Sequence, residues 1–268
     1  MDMSASEKGV IYVVTGPKES YWKEAMLSIE SLKRFNPDIP VTIFTDRIRP
    51  VEYQNVRVVE ISEPKLTFYD KWIGIKNSPY HKTLYLDTDT YVCDDLSEIF
   101  VLLDSFSLIV CFDPTYYKRY CVKQERMYGI PRSFPILQAG VIAFRKDKEF
   151  ENFLNLWEVI FWDEIQAKGG VPDDQAALRV ALYRDKNLRF MILPYEYNMA
   201  LSGPIYFMTA PKIFHARKDK RFFERLAQKM RRDYGIRRVY IPHLGILASP
   251  RDMLQSVIRN LKEKFWRR

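Results

Sequence analysis

Two carboxylates, Asp87 and Asp89, close the segment Lys82-Thr83-Leu84-Tyr85-Leu86-Asp87-Thr88-Asp89. They follow an apolar run that reads as a strand, and in an extended chain side chains at i and i+2 leave the same face. Two anions held that close repel unless a cation lies beside them. A hard divalent ion such as Mg or Mn takes carboxylate oxygens and bridges phosphates, so the pair is a candidate metal and phosphate site. The bland alternative is a polar loop that caps a strand. A second short acidic string, Asp173-Asp174-Gln175, follows Gly169-Gly170-Val171-Pro172 and opens a helix running to about Tyr183. Plain helix capping accounts for it on local chemistry alone.

The segments around the pair supply the frame that must position it. Val10-Ile11-Tyr12-Val13-Val14 is a β-rich run ending at the turn Thr15-Gly16-Pro17. From Tyr21 to Phe35, apolar residues recur at helical spacing until Asn36-Pro37 stops them. Val41–Thr45 and Val56–Ile61 read as strands, Lys71 to Lys76 as helix, and Thr83–Leu86 as the strand that ends at the pair. Strands separated by helices predict an α/β fold with a mainly parallel sheet covered on both faces. Ligands bind beyond the carboxyl ends of the strands in such sheets, which is where the pair stands.

Composition narrows the function classes. The 268 residues are 47% apolar and 15% aromatic, enough for a core, which excludes intrinsic disorder. The three cysteines (Cys93, Cys111, Cys121) form no Cys-x-x-Cys pair, which excludes a zinc ribbon or disulfide scaffold and fits a reducing compartment. The first eight residues hold no signal-like apolar stretch, and Ile99 to Phe112 is too short and too interrupted to span a bilayer. The expectation is a cytoplasmic protein, soluble or peripheral on the cytoplasmic membrane face. Residues 1–214 carry 26 Lys and Arg against 29 Asp and Glu, whereas 215–268 carry 16 against 5. Such asymmetry points to a local anionic substrate or surface rather than to nucleic acid.

Taken together, these segments resemble a GT-A fold glycosyltransferase, in detail the retaining glycogenin and bacterial galactosyltransferase type. Asp87-Thr88-Asp89 resembles the family's DxD motif. Val14-Thr15-Gly16, followed by Tyr21, resembles the strand and turn that hold uridine. Lys71 lies sixteen residues before Asp87, where the family places a lysine that reaches the donor. Gln138-Ala139-Gly140 resembles the family's Asn-Ala-Gly strand, with Gln in place of Asn. Asp174-Gln175 resembles the helix start beside the sugar, and Ile213-Phe214-His215 the strand whose histidine completes the metal site. The match runs from residue 10 to about 222. The family's His…Gly…Lys-Pro-Trp ending is replaced by His215-Ala216-Arg217-Lys218-Asp219-Lys220-Arg221. A phosphohydrolase of the haloacid-dehalogenase type also places two aspartates after a strand, but it calls for Thr or Val where Tyr91 stands.

The resemblance implies a single GT-A domain over 1–222, with a nucleotide-sugar half to about 112 and an acceptor half beyond it, followed by a basic extension over 223–268. It implies a metal, Mn or Mg, on Asp87, Asp89 and His215, with UDP-sugar as donor. An O,O,N donor set leans toward Mn. His81 and His243 are weaker rivals for the third ligand. Lys71, Asp174 and Gln175 are the expected catalytic residues, with Asp174 on sugar hydroxyls and Gln175 near the anomeric carbon. Glutamine is a poor nucleophile, so retention implies an ion-pair, front-face route. Lys218 and Arg221 are candidates to clamp the diphosphate. The alternative class is a non-catalytic adaptor that keeps the fold.

Two segments bear on partners. Asp113 to Pro135 interleaves Tyr116, Tyr117, Tyr120, Tyr128 and Phe134 with Lys and Arg, and reads either as an acceptor lid or as a solvated excursion that packs down. Residues 249–268 combine Met253, Leu254, Val257, Ile258, Leu261 and Phe265 with basic residues. Such a helix suits an anionic membrane surface or docking on its own domain. The acceptor is expected to be a glycan, a lipid-linked sugar or a protein.

Overall fold

The computed structural model describes residues 7–114, 119–168, 173–207, 209–231, 238–242, 245–247, and the single positions 254 and 258. The first half alternates β1 (Lys8–Val14), α1 (Glu19–Phe35), β2 (Val41–Thr45), β3 (Val56–Glu60), α2 (Asp70–Lys76) and β4 (Lys82–Leu86). There follow β5 (Thr90–Val92), α3 (Ser97–Leu102), β6 (Leu108–Phe112), α4 (Arg119–Tyr128), β7 (Leu137–Arg145), α5 (Lys148–Lys168) and α6 (Asp174–Arg184). Next come β8 (Phe190–Leu193), β9 (Met199–Ala200), β10 (Ile205–Phe207), β11 (Ile213–His215), α7 (Lys220–Arg231), β12 (Arg238–Ile241) and β13 (Gly245–Leu247).

Seven strands form one sheet in the order β3-β2-β1-β4-β7-β6-β8. Val10, Ile11 and Tyr12 are fully buried, as a continuous apolar run requires of a strand covered on both faces. One layer packs α1 through Ala25, Ile29 and Leu32; the other packs α2 and α5 through Trp72, Trp157 and Phe161, with the two indoles 4.5 Å apart. Of the helix-spaced apolar residues, α1 buries Ala25, Ile29 and Leu32, together with Ser28 and Ser31.

One strand runs against the rest. β7 is antiparallel to both β4 and β6, while the other neighbours in the sheet pair in parallel. Its first residues, Gln138 to Gly140, therefore lie at the carboxyl end of β4, and the Asp87 N–H donates to the Gly140 carbonyl at 2.8 Å. A small sheet, β5-β11-β9, continues from that point and pairs His215 with Thr90 and with Ala200.

The division expected at residue 222 falls inside α7. That helix buries Phe223, Leu226 and Met230 in a third apolar cluster with Tyr91, Met199 and Phe214, and β12 pairs antiparallel with β10. Of 249–268, Leu254 and Ile258 are helical and exposed; the remaining positions lie outside the described residues. Cys93, Cys111 and Cys121 are buried free thiols. Among the described residues, no helix is long and apolar enough to cross a membrane.

Candidate active site

Asp87 and Asp89 occupy a turn between β4 and β5 rather than extended chain: the Thr90 N–H donates to the Asp87 carbonyl at 3.3 Å. The turn, not strand alternation, brings their carboxylates together. His215 joins them, its Nε2 lying 3.1 Å from Asp89 Oδ1 and 3.9 Å from Asp87 Oδ2. One potential ligand atom from each of the three lies within 4.8 Å of the others.

Two further residues fit this cluster to a cation. His215 Nδ1 is 2.9 Å from Asn198 Oδ1, and Asn198 is fully buried. An Nδ1–H that donates to this amide oxygen leaves the Nε2 lone pair facing the carboxylates, the tautomer a metal ligand needs. At Gly140, a Cβ would stand 2.3 Å from His215 Cε1 and 2.7 Å from Asp87 Oδ2. The missing side chain is what lets the imidazole and the carboxylate approach. An O,O,N set of this kind suits a first-row divalent ion.

Electrostatically the histidine and the two carboxylates attract one another. Burial by itself would raise the Asp89 pKa, but the His215 hydrogen bond and charge, with Arg217, outweigh it and hold the carboxyl at about 2. Burial disfavours charge on His215, yet Asp89 and Asp87 more than offset this and push it up. Arg217 Nε lies 3.5 Å from Asp89 Oδ2 and 3.7 Å from Glu24 Oε1, with its guanidinium over the Tyr21 ring.

Lys71 is buried behind the pair. Its Nζ donates to the Ala139 carbonyl at 2.8 Å and to Asp174, and lies 3.5 Å from Asp87 Oδ1. Burial works against its charge, but Asp174 and Asp87 overcome it and raise the pKa. The two aspartates before α6 divide their work. Asp173 accepts the Gln175 and Ala176 N–H groups as the N-cap, which leaves the Asp174 side chain for Lys71. Gln175 Nε2 and Gln138 Nε2 both donate to Asp113 Oδ2, at 2.7 and 2.9 Å.

Two cavities meet at this cluster. The smaller, about 490 Å³, is lined by Val14, Thr15, Tyr21, Lys71, Tyr85 and Thr88. The larger, about 820 Å³, is lined by Gln138, Asp174, Gln175, Leu201, Lys218 and Phe222. Asp87, Asp89, His215, Arg217 and Phe68 border both. Gly16 holds the turn after β1 with φ +105°, its N–H 3.3 Å from Asp46 Oδ2; only glycine adopts this conformation without strain.

Most of the expected residues therefore converge, but not all. Arg221 lines a separate cavity beside Arg34 and Glu224. His81 is exposed just ahead of β4, and His243 lies outside the described residues. The segment after Asp113 is partly packed down where it is described: buried Arg179 donates to the carbonyls of Pro131, Phe134 and Pro135 and to Gln124 Oε1, while Met127 and Arg132 are exposed. Phe134 stacks edge-on against Tyr183, and Arg184 covers Tyr128. Tyr116 and Tyr117 lie outside the described residues, as does the Tyr120 side chain. Sequence reasoning missed Asn198, Asp113 and Arg217. The i, i+2 spacing from His215 was a signal for Arg217; the other two are isolated polar residues with no local pattern.

The sequence matches no protein-family model and no curated protein. Solved structures share the fold. The galactosyltransferase LgtC, in complex with donor and acceptor sugar analogs, aligns at a TM-score of 0.52 and 14% identity over 83% of this chain and 96% of that one. The bifunctional glycosyltransferase WbbM aligns at 0.56 and 16% over 80% of this chain, and the glycosyltransferase GlyE of Streptococcus pneumoniae TIGR4 at 0.53 and 17% over 79%. The alignments span 46% and 55% of those two chains. The architecture is that of the GT-A-type glycosyltransferases.

Proposed function

We propose that the protein is a metal-dependent glycosyltransferase that moves a hexose from a UDP-sugar to an acceptor hydroxyl with retention at the anomeric carbon. The observation that carries this reading is the Asp87–Asp89–His215 cluster at the seam of two cavities. Here the nucleoside occupies the smaller cavity, against Val14, Thr15 and Tyr21, and sugar and acceptor occupy the larger. Asp87, Asp89 and His215 would hold a divalent ion, which would supply positive charge where the diphosphate gains negative charge as its bond to the sugar breaks.

The chain's own groups divide the rest. Arg217 borders both cavities and presents a planar cation to the leaving diphosphate, with Lys218 beside it. Lys71 fixes Asp174 for the sugar hydroxyls, and Asp113 fixes the Gln175 amide beside the anomeric carbon. Among the described residues outside the metal cluster, the carboxylates lining the larger cavity are Asp173 and Asp174. One caps a helix and the other binds Lys71, so neither is a free nucleophile, which favours an ion-pair route. The sugar–diphosphate C–O bond breaks, the acceptor oxygen bonds to the same face, and a leaving phosphate oxygen takes the acceptor proton.

The test is a thermal-shift and turnover screen of UDP-sugars with Mn, Mg or EDTA on wild type and Asp89→Ala. Metal-dependent stabilisation and UDP release, both lost in Asp89→Ala, are expected, and NMR of the product anomer reads the stereochemistry. Silence with every UDP-sugar would overturn the UDP reading in favour of another donor or of a non-catalytic protein of the same fold.

A further inference from the structure

A third cavity, about 840 Å³, opens beside β5 between α1 and α7. Among the described lining residues its cations are all arginines: Arg34 from α1, and Arg221, Arg225 and Arg231 from α7. The one carboxylate among the described lining residues, Glu224, is already paired with Arg34 at 3.1 Å. Arg221, Arg225 and Arg231 have no carboxylate partner among the described residues. Arg225 Nε donates to the Arg221 carbonyl at 3.2 Å, and Arg231 donates to the Cys93 carbonyl and covers the Phe35 ring at 5.3 Å. The opposite face of α7 is locked into the core through Phe223, Leu226 and Met230, so the helix cannot turn its arginines away. Arg221 and Arg225, one turn apart, repel each other in the absence of an anion.

We propose that this cavity binds a phosphoryl group, as a phosphate ester or diphosphate, at a site separate from the donor cleft. Its cations are planar forks with several donors each, which grip phosphate oxygens two at a time, whereas a diffuse basic face is normally mixed with lysine. Four arginines against one glutamate leave an excess of three positive charges, of which a single carboxylate would leave two unmatched and a phosphate dianion one, whereas a diphosphate matches it. The volume lies within the range of small-molecule sites, about 300–1,000 Å³. The N-terminal turn of α7 separates the two regions, with Phe222 facing the larger cleft cavity and Arg221 facing this one. Arg221, expected from sequence on the donor diphosphate, is thereby assigned to a different anion, and the assignment holds whether or not the protein transfers sugar.

The phosphoryl group has two possible sources, a soluble compound or the headgroup of an anionic lipid, and two arms distinguish them. In EDTA, full-length protein is titrated calorimetrically with inorganic pyrophosphate, and separately co-sedimented with phosphatidylcholine vesicles containing phosphatidic acid. Each is repeated with Arg221→Gln/Arg225→Gln, Arg225→Lys and Arg217→Gln, with melting curves confirming that each variant folds. The altered α7 residues are exposed, so wild-type melting is expected. At least a tenfold loss in the double variant, a smaller loss in Arg225→Lys and less than a twofold change in Arg217→Gln support the site. Loss in the pyrophosphate arm identifies a soluble ligand, and loss in the vesicle arm alone identifies a headgroup. Binding in neither arm, or binding undiminished in the double variant, overturns the proposal.

Discussion

The approach of His215 to Asp87 depends on an atom that is not there. A Cβ at residue 140 would lie 2.3 Å from His215 Cε1, far inside van der Waals contact, and the neighbours are ring and carboxylate atoms that are themselves fixed by hydrogen bonds. Gly140→Ala is therefore expected to part the ligands and lower Mn affinity by more than tenfold with the fold intact, measured by calorimetry alongside far-UV circular dichroism. Asn198 acts one step further out. Asn198→Ala frees the His215 ring to rotate and removes the acceptor that selects its tautomer, so Mn affinity should fall about 10- to 100-fold; unchanged affinity would show that the ring is held by β11 alone. These two residues differ in how far sequence reveals them. Gly140 sits in a motif whose order relative to Asp87 is visible, whereas Asn198 and Asp113 acquire meaning only when strand pairing brings them to His215, Gln138 and Gln175.

At the level of elements, the departure of β7 from the parallel pattern is what makes the site. A parallel strand would deliver its last residues to the carboxyl end of β4; the antiparallel β7 delivers its first, Gln138 to Gly140. Periodicity identifies strands and helices but is silent on direction, so the apolar spacing of β1 to β4 was readable and this reversal was not. Two side chains stabilise the elements that flank it. Asp147 accepts the Phe150 N–H at 2.9 Å near the start of α5 and also binds Ser107 and Arg145. Burial opposes its charge, but these bonds hold it below the ordinary 3.8. A carboxyl lowered in the folded state stabilises fully above its unfolded pKa and loses that contribution as pH falls through its folded value. Asp147→Ala should cost about 1 kcal/mol at pH 7, and the gap from wild type should narrow by pH 3 in urea titrations. Arg179 ties the chain from Pro131 to Pro135 onto α6, with several carbonyls depending on one guanidinium. Arg179→Leu removes the shared donor from those part-buried acceptors and from buried Gln124, and is expected to cost on the order of 3 kcal/mol. A loss under 0.5 kcal/mol in urea unfolding would show that water replaces the guanidinium there.

For the molecule as a whole, charge and packing give different answers about where the body ends. Charge changes sign near residue 215, which suggests a near-neutral domain with a basic appendage from about 223. Packing does not stop there. Phe223, Leu226 and Met230 are buried against Tyr91, Met199 and Phe214, and at about 1.5–3 kcal/mol for each fully buried side chain their loss removes about 4.5–9 kcal/mol. Whole domains are stable by only about 5–15 kcal/mol. A chain ending at 222 would also strip the cover from the strand pair β5 and β11 that holds His215 beside Asp89. It is therefore expected to show no cooperative melt, whereas a chain ending at 248 keeps α7 and the β10-β12-β13 sheet and should unfold in one transition. Differential scanning calorimetry of the two truncations decides between the boundaries. A cooperative melt of the 222-residue chain would mean that the basic segment is an appendage, as its charge suggests, and that the His215 ribbon stands without α7.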